Sequence, residues 1–154
     1  MSLEKDLEKW IKVYSTEFCK EAADKITDKA KDAIRRFYEE YTPEYYNRTD
    51  DLLENSYSRY YHNNGKKVYG GVRLHSLNMQ PYKNAGITQG EIAMSAWELG
   101  VHGFRYGDPV EKIYTTPPLY VLRQYINSDE LLNHLSSHAL SKAKEQKYDS
   151  FIFG

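Results

Sequence analysis

LEKDLEKWIKVYSTEFCKEAADKITDKAKDAIRRFYEEY, residues 3–41, is the stretch whose reading decides the fold. Leu3, Leu7, Trp10, Tyr14, Phe18, Ala22, Ile26, Ala30, Ala33, Phe37 and Tyr41 recur every three or four positions, the period of a helix that buries one face. Mostly Lys, Asp, Glu and Arg lie between them. Ile11, Val13, Ala23 and Ile34 widen the stripe, so it can meet more than one partner surface. No Gly or Pro interrupts the pattern before Pro43. At 1.5 Å per residue the helix would be about 58 Å long, against roughly 30 Å for the diameter of a small domain. Either part of it projects and meets another chain, or it kinks among Thr27–Lys31, where the apolar residues are smallest.

Thr42-Pro43 ends the helix, because the residue before proline is pushed out of helical angles. Asp51 and Glu54 have capping-box spacing and predict a short helical turn. Strands are expected over Ser56–His62 and Lys67–His75, joined by Asn63-Asn64-Gly65-Lys66, since an Asn-Gly pair between Tyr- and Val-rich runs is a hairpin signal. Gly70-Gly71 inside the second run predicts a bulge or a close backbone approach. Residues 76–87 read as a loop. Thr88 and Glu91 open a short helix that carries Ile92, Ala93, Ala96, Trp97 and Leu99 and stops at Gly100. A second loop, His102–Thr116, is long enough to be functional. Pro117-Pro118 starts a further turn, and Asn127 or Ser128 caps a last helix with Leu131, Leu132, Leu135, Ala139, Leu140 and Ala143. The expected class is α+β: the long N-terminal helix and the C-terminal helix packed on a small antiparallel sheet built around the central hairpin. A single domain is expected over 1–154, with 1–43 the long helix, 44–87 a linker turn and hairpin, 88–147 the short helices and C-terminal helix, and 148–154 an aromatic tail.

A chain of 154 residues, 40% hydrophobic and 28% charged, is long enough for one core and is not composed like a disordered protein. No run approaches the roughly 18 apolar residues of a spanning helix, and MSLEKDLEKW carries charges where a signal peptide is apolar, which points to a cytoplasmic chain. Cys19 is the single cysteine, so neither an internal disulfide nor a cysteine-based zinc site is expected. Beside Phe18 on the long helix it reads as a packing residue. The 15 Tyr against 5 Phe and 2 Trp are an excess that a plain core does not need.

The net charge of -1 conceals a segregation. Residues 56–90 hold Arg59, Lys66, Lys67, Arg73 and Lys83 without an Asp or Glu, whereas the long helix carries both signs. Bases interleaved with tyrosines suit a nucleic-acid surface, although no RNP or zinc-finger motif accompanies them, and Lys and Arg also protect an exposed sheet edge. No phosphate-binding glycine loop and no Gly-x-Ser-x-Gly elbow occurs. His134 and His138 are four apart on the last helix, but Leu-Ser-Ser between them lacks a metalloprotease glutamate, so they read as a solvated face. No enzyme, metal, cofactor or small-molecule substrate is expected.

The order Tyr41-Thr42-Pro43, Arg48-Thr49-Asp50-Asp51-Leu52-Leu53-Glu54-Asn55-Ser56, the hairpin, Trp97-Glu98-Leu99-Gly100-Val101-His102-Gly103 and Pro117-Pro118-Leu119 resembles a family of small bacteriophage neck and tail-completion proteins. In that pattern a long helix ends in a Thr-Pro step, an Arg-Thr-Gly-x-Leu-x-x-Ser segment and a hairpin follow, then a buried Glu-x-Gly element, a variable loop and a proline-led C-terminal helix. Asp50 stands where glycine is usual. The resemblance spans most of residues 10–147 and implies a non-catalytic virion protein of a long-tailed phage or prophage, made in the bacterial cytoplasm. It implies a homo-oligomeric ring that meets other neck or tail proteins. Candidate interaction residues are Tyr45, Tyr46 and Arg48 after the long helix, Arg59, Lys66, Lys67 and Arg73 in the hairpin, and Phe104 and Tyr106 in the second loop. The basic hairpin would face either non-specific DNA or a neighbouring subunit.

Overall fold

The structure is a computed structural model that describes residues 2–42, 50–80, 88–102 and 113–153, of which residues 113 and 146–153 are described by backbone only. It is α+β. The elements are α1 (Leu3–Glu39), α2 (Asp51–Asn55), β1 (Tyr57–Asn63), β2 (Val68–Leu74), α3 (Gln89–Met94) running into a π-helical turn (Ser95–Leu99), β3 (Val101–His102), β4 (Ile113–Tyr114), α4 (Pro118–Ile126) and α5 (Asp129–Phe153). Among the described residues two two-stranded ladders form, β1 with β2 and an antiparallel β3–β4 pair in which Val101 faces Tyr114 and His102 faces Ile113.

Two compact units emerge, the first made of Met1–Lys25, Arg59–Gly71 and Asn127–Gly154, the second of Ile26–Ser58 and Val72–Ile126. In the first, α5 runs antiparallel to α1, since His134 reaches Glu21 and His138 reaches Glu17. Its buried residues Leu131, Leu135, Ala139 and Ala143 repeat every four positions, and on α1 the buried residues are Ala22 and Ala23. The Ser128 hydroxyl caps α5 by accepting from the Leu131 N–H at 3.2 Å. The helix continues to Phe153, so the expected tail from 148 is its last turn and more.

The hairpin crosses this part of α1 at Gly70. A Cβ on Gly70 would lie 1.9 Å from the Cys19 carbonyl oxygen, which is the close approach expected of the glycine pair. At the turn, the Asn64 side chain accepts from the N–H groups of Lys66 and Lys67 at 3.0 and 2.9 Å, and Gly65 takes φ 83.

The second unit buries Ile26, Ala30, Ala33, Ile34 and Phe37 of α1 with Leu52, Met79, Ala93, Trp97, Val101 and Leu122. The Thr88/Glu91 capping box forms in full. The Asp51/Glu54 box does not. Asp50 is the residue before α2 and makes no side-chain cap bond, while Asp51 is buried and its carboxylate is taken by the Asn55 side chain and the Gln80 N–H. The short helix before Gly100 ends in the π-helical turn, with the Gly100 N–H shared between the Ser95 and Ala96 carbonyls. Gly100 adopts φ 64, and a Cβ there would meet the Thr115 carbonyl at 2.2 Å.

Candidate functional site

Ser56 is where three segments of the second unit meet. Its hydroxyl donates to the Leu52 carbonyl and accepts from the Trp97 indole N–H at 2.9 Å, and its own carbonyl accepts from the His75 N–H at 2.9 Å. Both Ser56 and Trp97 are fully buried, so the indole donor has no water to fall back on and the pair is a specific lock. Tyr57 sets its ring edge-on to Trp97 at 6.1 Å. Burial first, then the Glu54 carboxylate, pushes the Tyr57 phenol up and keeps it neutral.

A second polar core group is His102. Phe37 stacks on it at 3.8 Å, Tyr41 leans against it at 5.0 Å, and its Nε2 bonds the Thr115 hydroxyl at 2.8 Å. The Glu40 carboxylate accepts from the Thr116 N–H at 2.9 Å, which ties the end of α1 to the segment before α4. The Ser56 hydroxyl, the Trp97 indole, the His102 Nε2 and the Glu40 carboxylate are each paired within the fold and act as fasteners, while the His75 Nδ1 beside them is buried without a partner among the described residues.

In the first unit the basic hairpin is partly neutralised at its own base. Arg59 pairs with Asp24 and lies 5.7 Å from the Tyr61 ring, and Lys20 approaches the same ring at 5.8 Å. The Val68 carbonyl accepts from the Cys19 thiol at 3.7 Å, and burial pushes that thiol up, away from the thiolate form. Further out, Lys66 and Lys67 are exposed, and His62 and Tyr69 stack at 6.1 Å with Tyr69 44% exposed. His134 is exposed and His138 half-buried, and both face carboxylates of α1: His134 bonds Glu21 at 2.9 Å, and His138 lies 3.6 and 3.7 Å from Glu17 and Glu21. Among the described residues, no group of three or more His, Cys, Asp and Glu is placed to hold a metal ion.

Of the sequence-derived interaction residues, the structure puts Arg59, Lys66 and Lys67 together on the hairpin of the first unit and Arg73 in the second. Tyr45, Tyr46, Arg48, Phe104 and Tyr106 lie outside the described residues. The start of α1 carries an exposed apolar surface: Leu3, Leu7 and Ile11 are 85%, 56% and 50% exposed, although they continue the stripe that is buried from Ala22 onward. Behind them Trp10, Tyr14 and Phe18 form a stacked ladder at 5.5 and 6.2 Å. No helix is long and apolar enough, among the described residues, to cross a membrane. Comparison with protein-family models, with curated proteins and with solved structures finds no match for this chain.

Proposed function

We propose that the chain is a non-catalytic virion structural protein of a tailed phage or prophage, acting by oligomerisation at the head–tail junction or at the tail end. The observation that supports it is that residues of the motifs behind the resemblance form one buried node. Leu52 and Ser56 belong to one motif and Trp97 and Gly100 to the next, and the Trp97–Ser56 bond joins them. Asp50, which stands where the family usually has glycine, adopts φ 57, a left-handed conformation that glycine enters without cost and Asp tolerates. Pro118, which leads the C-terminal helices, is buried as well. Glu98 departs from the pattern, because it is exposed.

Its partners would be further copies of itself and other neck or tail proteins, met through tyrosine- and leucine-bearing surfaces that combine apolar area with hydrogen-bonding tips. Electron microscopy of particles lacking this protein tests the role: tailless heads or loose tails are expected, and normal tailed virions reject it. Nucleic-acid binding by Arg59, Lys66, Lys67 and Arg73 has less behind it, since Asp24 already engages Arg59. It requires an affinity that falls steeply with salt and is lost when the four bases become Gln.

A further inference from the structure

We propose that two faces of the first unit bind each other between copies: the exposed start of α1 in one copy docks on the outer face and turn of the hairpin in the next. The helix face presents Leu3, Leu7 and Ile11, at 85%, 56% and 50% exposure. Stepping about 100° per residue, Glu4 and Glu8 border that stripe on one side and Asp6 on the other, while Lys5, Lys9 and Lys12 fall on the back of the helix. The result is an apolar strip with an acidic rim. The hairpin supplies the complement. His62 and Tyr69 make an exposed stacked pair, Lys66 and Lys67 stand exposed at the turn, and the segment has no acid to oppose them.

The two faces do not serve each other within a chain. The hairpin touches α1 at Cys19, Lys20 and Asp24, through Val68, Tyr61 and Arg59. At 1.5 Å per residue, Ile11 and Leu3 lie about 12 and 24 Å further along the helix. A second copy of this chain satisfies both faces at once, with aromatic area on leucine and lysine opposite glutamate. Because the two faces differ, the contact is head-to-tail, and repetition closes a ring or extends a filament. From the proposed function the inference takes only that copies of this chain associate. Normal virions without the protein would reject the virion role and leave the contact standing.

Sedimentation velocity on the full chain, from low micromolar to near-millimolar concentration, tests it. The expected mass of the wild-type protein rises with concentration. Leu7→Asp weakens association at least about tenfold, as does Lys66→Glu with Lys67→Glu, with unchanged far-UV circular dichroism because these side chains are exposed. The diagnostic sample mixes the two variants. Each keeps one intact face, so the mixture forms a one-to-one complex and nothing larger. A wild-type chain that is monomeric throughout overturns the proposal, as does unchanged association of either variant or a mixture that yields no complex. So does a Lys66→Glu/Lys67→Glu protein that loses oligonucleotide binding while its mass behaviour stays wild-type.

Discussion

Gly70 and Gly71 are neighbours in one strand with opposite environments, and a matched pair of alanine substitutions isolates what the close approach is worth. The Cβ of Gly70→Ala would lie 1.9 Å from the Cys19 carbonyl oxygen and 2.8 Å from its carbon, whereas nothing lies within 4 Å of a Cβ at Gly71. A relaxed carbon–oxygen contact needs about 3.3 Å, so the strand and α1 must separate by roughly 1.4 Å. Neither partner is a side chain that can swing away: both are backbone, one of them inside a helix. Overpacking costs about 1–3 kcal/mol where side chains can adjust, so about 3 kcal/mol or more is expected here. With a urea slope of about 2 kcal/mol/M, the unfolding midpoint falls by roughly 1.5 M. Gly71→Ala meets no atom and trims the freedom of the unfolded chain, so it is neutral or stabilising by about 0.5 kcal/mol. Urea titrations of both variants measure the difference, and hydrogen exchange of the Val68–Leu74 amides places it in the hairpin. Equal midpoints for the two variants would refute the close approach of Gly70 to α1.

Ser56→Ala leaves the buried Trp97 indole N–H without an acceptor and is expected to cost about 2 kcal/mol in the same titration, with a changed tryptophan fluorescence spectrum. Gly100→Ala adds a left-handed penalty to a 2.2 Å contact with the Thr115 carbonyl, so a loss of about 3 kcal/mol is expected, read as a lower thermal midpoint. Thr88→Ala removes the α3 cap, at about 1 kcal/mol. The Thr88 N–H and hydroxyl hold the Glu91 carboxyl below its ordinary value, so the carboxylate form stabilises the folded state. That contribution is fully present above the ordinary glutamate range and is lost as pH falls through the lowered value. Stability measured from neutral to acidic pH should therefore fall less steeply for Glu91→Gln than for the wild-type chain.

Where the sequence carries a periodic or a turn signal, it was legible to within a residue or two. The stripe of residues 3–41 became α1 at Leu3–Glu39, and the turn expected at Asn63-Asn64-Gly65-Lys66 lies one residue later, at 64–67 between β1 and β2. Thr88, Gly100 and Ser128 act at the helix ends where local capping chemistry placed them. What escaped was decided by partners distant in the chain. Asp51 has capping spacing to Glu54, yet the Gln80 N–H, 29 residues on, takes its carboxylate, and Asp50 supplies the left-handed step instead. The β3–β4 pair is two residues on each side, too short for any alternation to show. The carboxylate partners of His134 and His138 escaped because Glu17 and Glu21, which face them, lie more than a hundred residues earlier.

The difference between the buried node and the exposed faces explains why one left motifs and the other only a composition. Ser56 must be small and polar to sit between the Leu52 carbonyl and the Trp97 indole, and Gly100 must lack a side chain beside Thr115. Few residues meet such terms, so short recognisable words result. A docking face is less demanding, since apolar area and a charge sign can be supplied by many sequences. The trace of the docking face proposed above is therefore compositional, a leucine stripe and a hairpin segment without acids. The same contrast dictates how each is tested. The node responds to single truncations, because one removed partner strands another in the core. The faces tolerate single changes at the rim, so reversing a charge and restoring it by the complementary reversal, Glu4→Lys and Glu8→Lys against Lys66→Glu and Lys67→Glu, is what separates a contact from a charged surface.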